Sequence, residues 1–361
     1  MRMTHAAGPA RSGVSADDPT SLASTLTEDG VAALLGLAII VALHLDGRAH
    51  VLGLPDSFFT PWHGFLYGSL LALVVWLAVM SRTAALRQRS GRVAALPAGY
   101  GFAVVGAGLF AAGGVSDMVW HQFFGVESGI DALLSPTHLL LFVGGVFLMS
   151  GPIRASRRRA LAPSSLSRVP ATVAVLNITS IASFVLLFLS GFVTDSPAYA
   201  IGTGAEGTRE HVLGEALAVA GLGSFVITSV VIVAALVYVA RSGLQMAGTT
   251  MFLVPLVALL AATVEDLREP VVVVAVFTAA ALTDVILSVL RGRHVSARTV
   301  ALTLAAVLPL LLWSGRLLAT HMTQGVLWSL EMVVGVVVVS ALASFLTVLA
   351  LGPPSAAVEP H

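Results

Sequence analysis

Long apolar runs separated by short polar connections constrain this chain more than any other feature. Most of the runs approach the roughly 20 residues with which a helix crosses about 30 Å of hydrocarbon. Because backbone polar groups in lipid must be paired within their own segment, each run is expected to be a helix. We therefore predict an all-α polytopic integral membrane protein, surrounded by a lipid bilayer, with about ten transmembrane helices. The runs lie at about 30–46, 62–81, 97–120, 135–153, 169–193, 211–240, 248–264, 270–290, 298–315 and 325–351.

Composition excludes several classes of function. Hydrophobic residues make up 57% of the chain and charged residues 11%, and the formal net charge is zero, so no excess of positive charge suggests nucleic acid as a partner. The chain has no cysteine, which excludes disulfides, thiolate-bound metals and iron–sulfur clusters. It also has no lysine, which excludes Schiff-base chemistry on a lysine.

The distribution of arginine between the runs predicts the orientation, since cytoplasmic connections are enriched in basic residues. Most arginines follow even-numbered runs: Arg82, Arg87, Arg89, Arg92, Arg154, Arg157, Arg158, Arg159, Arg168, Arg241, Arg291, Arg293 and Arg298. The alternate connections hold only Arg48, Arg209, Arg268 and Arg316. We therefore expect a multi-pass protein of the plasma membrane with both termini in the cytoplasm. Seven of the ten histidines then fall at outer ends of the runs: His44, His50, His63, His121, His138, His211 and His321.

Two stretches at the predicted outer face share one order of polar residue types. Each reads Asp-x-x-x-His, then a connection, then Ser/Thr-Pro-x-His. The ligand-type residues are Asp46, His50 and His63 in the first stretch and Asp117, His121 and His138 in the second. The two Asp are 71 residues apart and the two final His are 75 apart, so the second connection is four residues longer. Residues four apart on a helix share a face, so each Asp projects beside the His that follows it.

The final histidine of each stretch follows a helix-start pattern. Thr60-Pro61 and Ser135-Pro136 place a hydroxyl at the cap and a proline at the first helical position, with the histidine third. The positive end of the helix dipole disfavours imidazolium there, which keeps the ring neutral and able to bind a metal. Two imidazoles and one carboxylate suit copper, zinc, iron or nickel, with open positions left for water or substrate. Both stretches are therefore predicted metal sites.

The first stretch resembles a known copper-binding motif. Asp46, His50 and His63, in the spacing Asp-x3-His-x12-His and the context Phe-Thr-Pro-Trp-His, are similar to the motif in the C subunit of the membrane-bound copper monooxygenases of methane and ammonia oxidation. The second stretch is similar but has sixteen residues between its histidines. The resemblance covers about twenty residues per stretch, and it implies copper as the bound metal more than it implies monooxygenase-like oxidation as the chemistry. That family acts with partner subunits whose soluble cupredoxin domains this chain lacks.

The repeated pattern also predicts the domain organisation. A two-helix hairpin used twice in the same sense would form a duplicated four-helix module over residues 29–153, related by an axis along the membrane normal. A disordered cytoplasmic tail is expected at 1–28, a six-helix membrane region at 154–352 and a C-terminal tail at 353–361. The two clusters are either separate sites or face each other across the axis.

Several functions fit this sequence. We favour a copper-dependent membrane oxidoreductase, with zinc, iron or haem as other cofactors, acting as a homo-oligomer or with partner membrane subunits. A metal-ion or small-solute transporter would use the same clusters to capture an ion, with Asp284 or Glu331 marking its path. A haem-binding electron carrier would use paired histidines as axial ligands. In a structural membrane subunit, the Asp–His contacts would only tie each helix hairpin together.

Overall fold

The computed structural model of the chain describes residues 22–54, 59–88, 96–125, 129–159, 165–201 and 204–352, and in these ranges it contains helices and no strand. The predicted all-α fold is confirmed. The helices are α1 (Leu26–Val51), α2 (Pro61–Gln88), α3 (Gly101–Phe124), α4 (Ile130–Leu134), α5 (Pro136–Met149), α6 (Gly151–Ser156), α7 (Val169–Val185), α8 (Arg209–Arg241), α9 (Thr249–Val264), α10 (Pro270–Gly292), α11 (Ala297–Thr323) and α12 (Leu330–Leu351).

Nine helical segments in the described ranges are long and apolar enough to cross a membrane. Helices α5 and α6 together make one of them, Pro136–Ser156. The seventh predicted run forms α9, which has 16 residues and is therefore only about 24 Å long. The tail predicted at 1–28 lies mostly outside the described residues. Helix α1 already begins at Leu26, because Thr25 and Glu28 form a reciprocal capping box.

Two antiparallel hairpins carry the Asp/His stretches. Helix α1 packs against α2, and α3 packs against α5. Glycines let the second pair approach closely: a Cβ added at Gly144 would lie 2.6 Å from the backbone nitrogen of Phe110, and one at Gly106 would lie 2.6 Å from the carbonyl oxygen of Gly144. Such contacts between small residues are typical of helix pairs in membranes. Helix α7 packs against both α1 and α5 and so lies between the hairpins.

An ionic cluster joins the hairpins at the end opposite the Asp/His stretches. Asp29, at the start of α1, is fully buried, accepts a hydrogen bond of 2.7 Å from the Tyr100 hydroxyl and pairs with Arg159. Burial and the neighbouring Asp29 carboxylate raise the pKa of Tyr100 well above its ordinary value, so the phenol stays a donor. Glu28 pairs with Arg87 of α2 at 2.7 Å. Since Tyr100 immediately precedes α3, helices α1 and α3 begin at the same end of the molecule.

The fifth predicted run, 169–193, is helical for only part of its length. Helix α7 ends at Val185, and residues 186–201 form short 3₁₀ turns and irregular backbone, with Ser190 and Phe192 each 3% exposed. Irregular backbone at membrane depth is tolerated where it is buried in protein and its polar groups are paired. The hydroxyl of Thr228 accepts a hydrogen bond of 2.8 Å from the Gly191 nitrogen. Apolar composition alone could not distinguish this segment from a helix.

Arg316 corrects a second expectation, because it lies within α11 and not in an outer connection. Its side chain is 0% exposed. The guanidinium donates to the carbonyl oxygens of Gly191 at 2.8 Å and Thr194 at 2.6 Å, and lies 3.8 Å from the Glu269 carboxylate. A buried charge is tolerated only when it is paired and hydrogen-bonded. Arg316 therefore supplies hydrogen-bond donors to the carbonyl oxygens of the irregular segment after α7. These oxygens in turn pair with the buried guanidinium.

We expect Arg316→Met to destabilise the protein strongly, because it leaves the carbonyl oxygens of Gly191 and Thr194 without their donor and the Glu269 carboxylate, which still accepts from Thr320, without its cation. Removing one partner of a buried pair typically costs about 3–5 kcal/mol. Unfolding by SDS titration of protein in detergent micelles measures the change. Arg268→Met is the matched control, since Arg268 pairs with Glu265 at 3.3 Å but is 60% exposed, and exposed pairs contribute about 1 kcal/mol or less. Equal effects of the two substitutions would contradict this role for Arg316.

Candidate metal centre

The first Asp/His set lies where α1 ends and α2 begins. The Nε2 atom of His63 lies 3.1 Å from Oδ1 of Asp46, and Nε2 of His50 lies 3.8 Å from Oδ2 of the same carboxylate. The hydroxyl of Thr60, which precedes the first residue of α2, lies 3.0 Å from Nδ1 of His63. One carboxylate is thus shared by two imidazoles, one from each helix of the hairpin.

The second set repeats this arrangement between α3 and α5. The Nε2 atom of His121 lies 3.2 Å from Oδ2 of Asp117, and Nε2 of His138 lies 3.5 Å from Oδ1. The ring centroids of the two histidines are 6.2 Å apart, against 6.3 Å in the first set. The short helix α4 lies in the longer second connection. In the described part of the chain the structure brings together each predicted set of three, as two separate groups.

Hydrogen bonds around the second set hold both imidazole rings in place. The Thr137 hydroxyl donates to Asp117 at 2.7 Å, and the Ser135 hydroxyl lies 3.2 Å from that of Thr137. The Ser135 hydroxyl also lies 2.8 Å from Nδ1 of His138, a contact in which the donor depends on the ring tautomer. His121 donates from Nδ1 to the carbonyl oxygen of Gly125 at 3.1 Å, since a carbonyl can only accept. The His121 ring therefore carries a proton on Nδ1.

The two rings direct two ring nitrogens at one carboxylate. Both Nε2 atoms of the second set face oxygens of Asp117, at 3.2 Å for His121 and 3.5 Å for His138. Such a contact is favourable when the nitrogen carries a proton that it donates to the carboxylate, or when a metal cation lies between the two atoms. The set therefore accommodates either a proton on each facing nitrogen or one metal ion.

The distances between ligand atoms suit a transition metal. Ligands about 2.0–2.1 Å from a tetrahedral ion are roughly 3.4 Å from one another. The four Asp–His distances are 3.1, 3.8, 3.2 and 3.5 Å, and in each set one ligand atom from every residue lies within 4.8 Å of the others. Three ligands leave a fourth position open. Each set can therefore hold a metal ion without moving its helices far.

Aromatic side chains flank the final histidine in both sets. The ring of Tyr67 stacks on His63 with centroids 5.8 Å apart, and the ring of Phe142 stacks on His138 at 6.5 Å. Each aromatic residue follows its histidine by four positions, one helical turn. Tyr67 and Phe142 were not predicted from the sequence, although their shared spacing of four from the histidines was visible there. Stacking of this kind restricts the orientation of the imidazole that would bind the metal.

The two sets differ in the polar groups around them. Thr137 has Trp62 as its counterpart in the first stretch, so the hydroxyl that donates to Asp117 has no equivalent at that position. Beside the first set, Arg48 donates to Asp266 of the α9–α10 turn at 2.5 Å. Asp266 and Leu267 both have left-handed backbone, with φ of 56° and 52°. Helix α1 thus also contacts the six-helix region beside the first set, through an exposed ion pair.

Three other candidate groups lie outside both sets in the described residues. His44 is 1% exposed and hydrogen-bonds through Nδ1 to the carbonyl oxygen of Ile40 in its own helix. The Asp284 carboxylate accepts from the backbone nitrogen of Met251 at 2.8 Å, which satisfies the start of α9. Glu331 is exposed in the first turn of α12. None of these three contributes a ligand to either set.

No family model, curated protein or solved structure matches the chain. The sites are therefore interpreted from their own geometry, and the resemblance to the copper monooxygenases stays a prediction.

We expect Thr137→Val to weaken metal binding at the second set by about tenfold or more and to leave the first set unchanged. The substitution keeps the side-chain shape but removes the proton donated to Asp117, and outer-shell partners typically contribute 10–100-fold in metal affinity. Competition titration with a chromophoric chelator measures both affinities. Thr347→Val serves as the control, because the Thr347 hydroxyl bonds only to its own helix, at Ala343. An unchanged second-set affinity would show that this proton does not orient the carboxylate.

Proposed function

We propose that this chain is a copper-binding membrane oxidoreductase with two metal sites at the extracytoplasmic face of the plasma membrane. One site consists of Asp46, His50 and His63, and the other of Asp117, His121 and His138. The observation that supports this most strongly is the second set, where the Nε2 atoms of two imidazoles converge on one carboxylate, at 3.2 and 3.5 Å, in an arrangement that could hold a metal ion. The first set has the same arrangement and the same order of residue types. This repetition favours a functional role over stabilisation of the hairpin alone.

Copper is the metal that the ligands and the resemblance favour together. Imidazole and carboxylate are good ligands for copper, zinc, iron and nickel, and within this series copper(II) binds most tightly to a given nitrogen and oxygen site. The spacing Asp-x3-His-x12-His of the first set also resembles the copper-binding motif of the membrane-bound monooxygenases, which favours copper. Zinc and iron are the competing ions.

The ligands would leave each metal accessible from one side. The Asp46 and His50 side chains are 14% and 37% exposed, and those of Asp117 and His121 are 19% and 24% exposed. A bound copper ion would supply redox chemistry there, with an open position for an oxidisable substrate. The chain's own contribution is positional: the hydroxyls of Thr60 and Ser135 hold the rings, and each carboxylate is shared between two helices. Fixing ligands on helix ends in this way keeps a site open without letting it collapse.

Haem fits these sets less well than a metal ion. In both sets a carboxylate lies within 3.8 Å of the two Nε2 atoms, in the space that a porphyrin between axial histidines would need. A transporter is also less favoured, because Asp284 is engaged at the start of α9 and Glu331 is exposed on α12. Uptake of copper by proteoliposomes would nevertheless distinguish transport from a fixed site.

We further propose that residues 29–153 are a duplicated hairpin module. The matching positions extend beyond the ligands, since the hydroxyls Thr60 and Ser135, and the aromatic rings of Tyr67 and Phe142, recur at the same offset of 75. Each pair has the same contact with its histidine. A parallel repeat would place both sites at the same face of the membrane.

Metal content tests the proposed function. We expect wild-type protein purified from copper-replete cells to hold two copper ions per chain, and each of two double variants, His50→Ala/His63→Ala and His121→Ala/His138→Ala, to hold one, because each loses two of three ligands. The quadruple variant, in which all four histidines are replaced by alanine, should hold none. Elemental analysis with an optical spectrum gives the metal and its amount. His211→Ala/His321→Ala is the control, as both residues lie outside the sets. Metal that persists in the quadruple variant, or none in the wild type, would overturn the proposal.

The absence of cysteine allows a clean test of orientation. If the Asp/His sets face outward, Glu206→Cys before α8 should react with a membrane-impermeant maleimide on intact cells. Ala297→Cys, at the start of α11, should react only after the cells are permeabilised. Both positions are exposed, so a difference reports sidedness and not burial. The reverse pattern would place the sets at the cytoplasmic face.

A further inference from the structure

The ring of Phe184 lies between the two Asp/His sets. Phe184 is near the end of α7 and is 6% exposed. On one side its ring meets His44 of α1 edge-on, with centroids 5.0 Å apart. On the other it meets Phe142 of α5 edge-on at 6.0 Å, and the Phe142 ring stacks on the ligand His138 at 6.5 Å. One side chain of a third helix thus touches both hairpins close to their ligands.

Helix α1 accommodates this ring because residue 47 is glycine. A Cβ added at Gly47 would lie 2.8 Å from Cε2 and 2.9 Å from Cζ of Phe184, closer than real Cβ contacts. Gly47 follows Asp46 directly and is three residues before His50, so the ring packs against the backbone that carries two ligands of the first set. Any other residue at 47 would have to displace the ring or α1.

We infer that Phe184 is a positioning residue shared by both metal sites, through which a displacement at one site changes the ligand geometry of the other. The inference rests on the proposed metal-binding function and assigns how its two sites communicate. Phe184 acts on α1 through Gly47 and His44, neither of which is a ligand, and on the ligand His138 through Phe142.

Close packing provides the physical reason for this coupling. Protein interiors are packed as densely as organic crystals, so a ring held between two helices moves when either helix moves. Edge-on aromatic contacts add a preferred orientation, which makes the Phe142 ring follow that of Phe184. The ionic cluster of Asp29, Tyr100 and Arg159 also joins the hairpins, but at the opposite end of the helices, roughly 25 Å along α1 from Asp46. At the ligand end, Phe184 makes the connection.

Gly47→Ala tests the inference by enlarging α1 and measuring the effect on α5. The background is the variant His50→Ala/His63→Ala, in which the second set alone can bind metal. Adding Gly47→Ala should push Phe184 toward Phe142, and we expect the copper affinity of the second set to change at least fivefold, in the range typical of coupled sites. The electron paramagnetic resonance spectrum of bound copper(II) should change as well. Gly68→Ala is the matched control, because an added Cβ there meets nothing within 4 Å.

A compensating substitution separates this effect from general damage to the fold. In the Gly47→Ala background, Phe184→Leu removes the ring that the new methyl group meets, so the spectrum should return toward that of Phe184→Leu alone. In metal-free protein the same displacement should shift the ¹⁵N resonances of the His138 ring, a readout that needs no metal. Unchanged His138 resonances in Gly47→Ala would overturn the coupling whether or not copper binds. Shifted resonances without any copper binding would support the positioning role and overturn the metal function.

Discussion

The arrangement that the rest of this structure depends on is one carboxylate held between two imidazole nitrogens that face it. In the second set His121 donates from Nδ1 to the carbonyl of Gly125, Nδ1 of His138 lies beside the Ser135 hydroxyl, and the Nε2 atoms of both rings face Asp117. Either protons or one metal ion between these atoms makes such a set stable. The helix pairs, caps and aromatic stacks around each set keep its three residues together at the ends of the helices.

The two ends of the helix hairpins have different roles. At one end Asp29, Tyr100 and Arg159 close the hairpins with a buried ionic cluster, where burial of the charges restricts how the helices can be arranged. At the other end the ligands are only partly buried, and α7 separates the hairpins with the ring of Phe184. Fixing the helices at one end by the buried ionic cluster leaves the partly exposed Asp/His sets at the other end open to their surroundings.

The sequence predicted the ligand-type residues of both sets but not the residues that hold them in place. Hydropathy predicted the all-helical membrane fold, and the four-residue spacings and the cap pattern at Ser135-Pro136 predicted which residues meet, because these signals are local. Arg316 and the irregular backbone after α7 were misplaced, since the partners that make a buried charge and a broken helix tolerable lie more than 120 residues apart in sequence. Phe184 gave no signal at all, because an aromatic residue in an apolar run looks the same whether it meets lipid or two ligand-bearing helices.

X-ray absorption at the copper edge of the loaded wild-type protein tests the central claim most directly, because it reports the ligands themselves. Two Asp/His sites predict two copper ions per chain, each with the multiple-scattering pattern of two imidazole rings and with nitrogen and oxygen neighbours at about 2.0 Å. Copper bound without imidazole scattering, or with the same spectrum after His50, His63, His121 and His138 are all replaced by alanine, would show that the copper lies elsewhere and that the two sets only hold the hairpins closed.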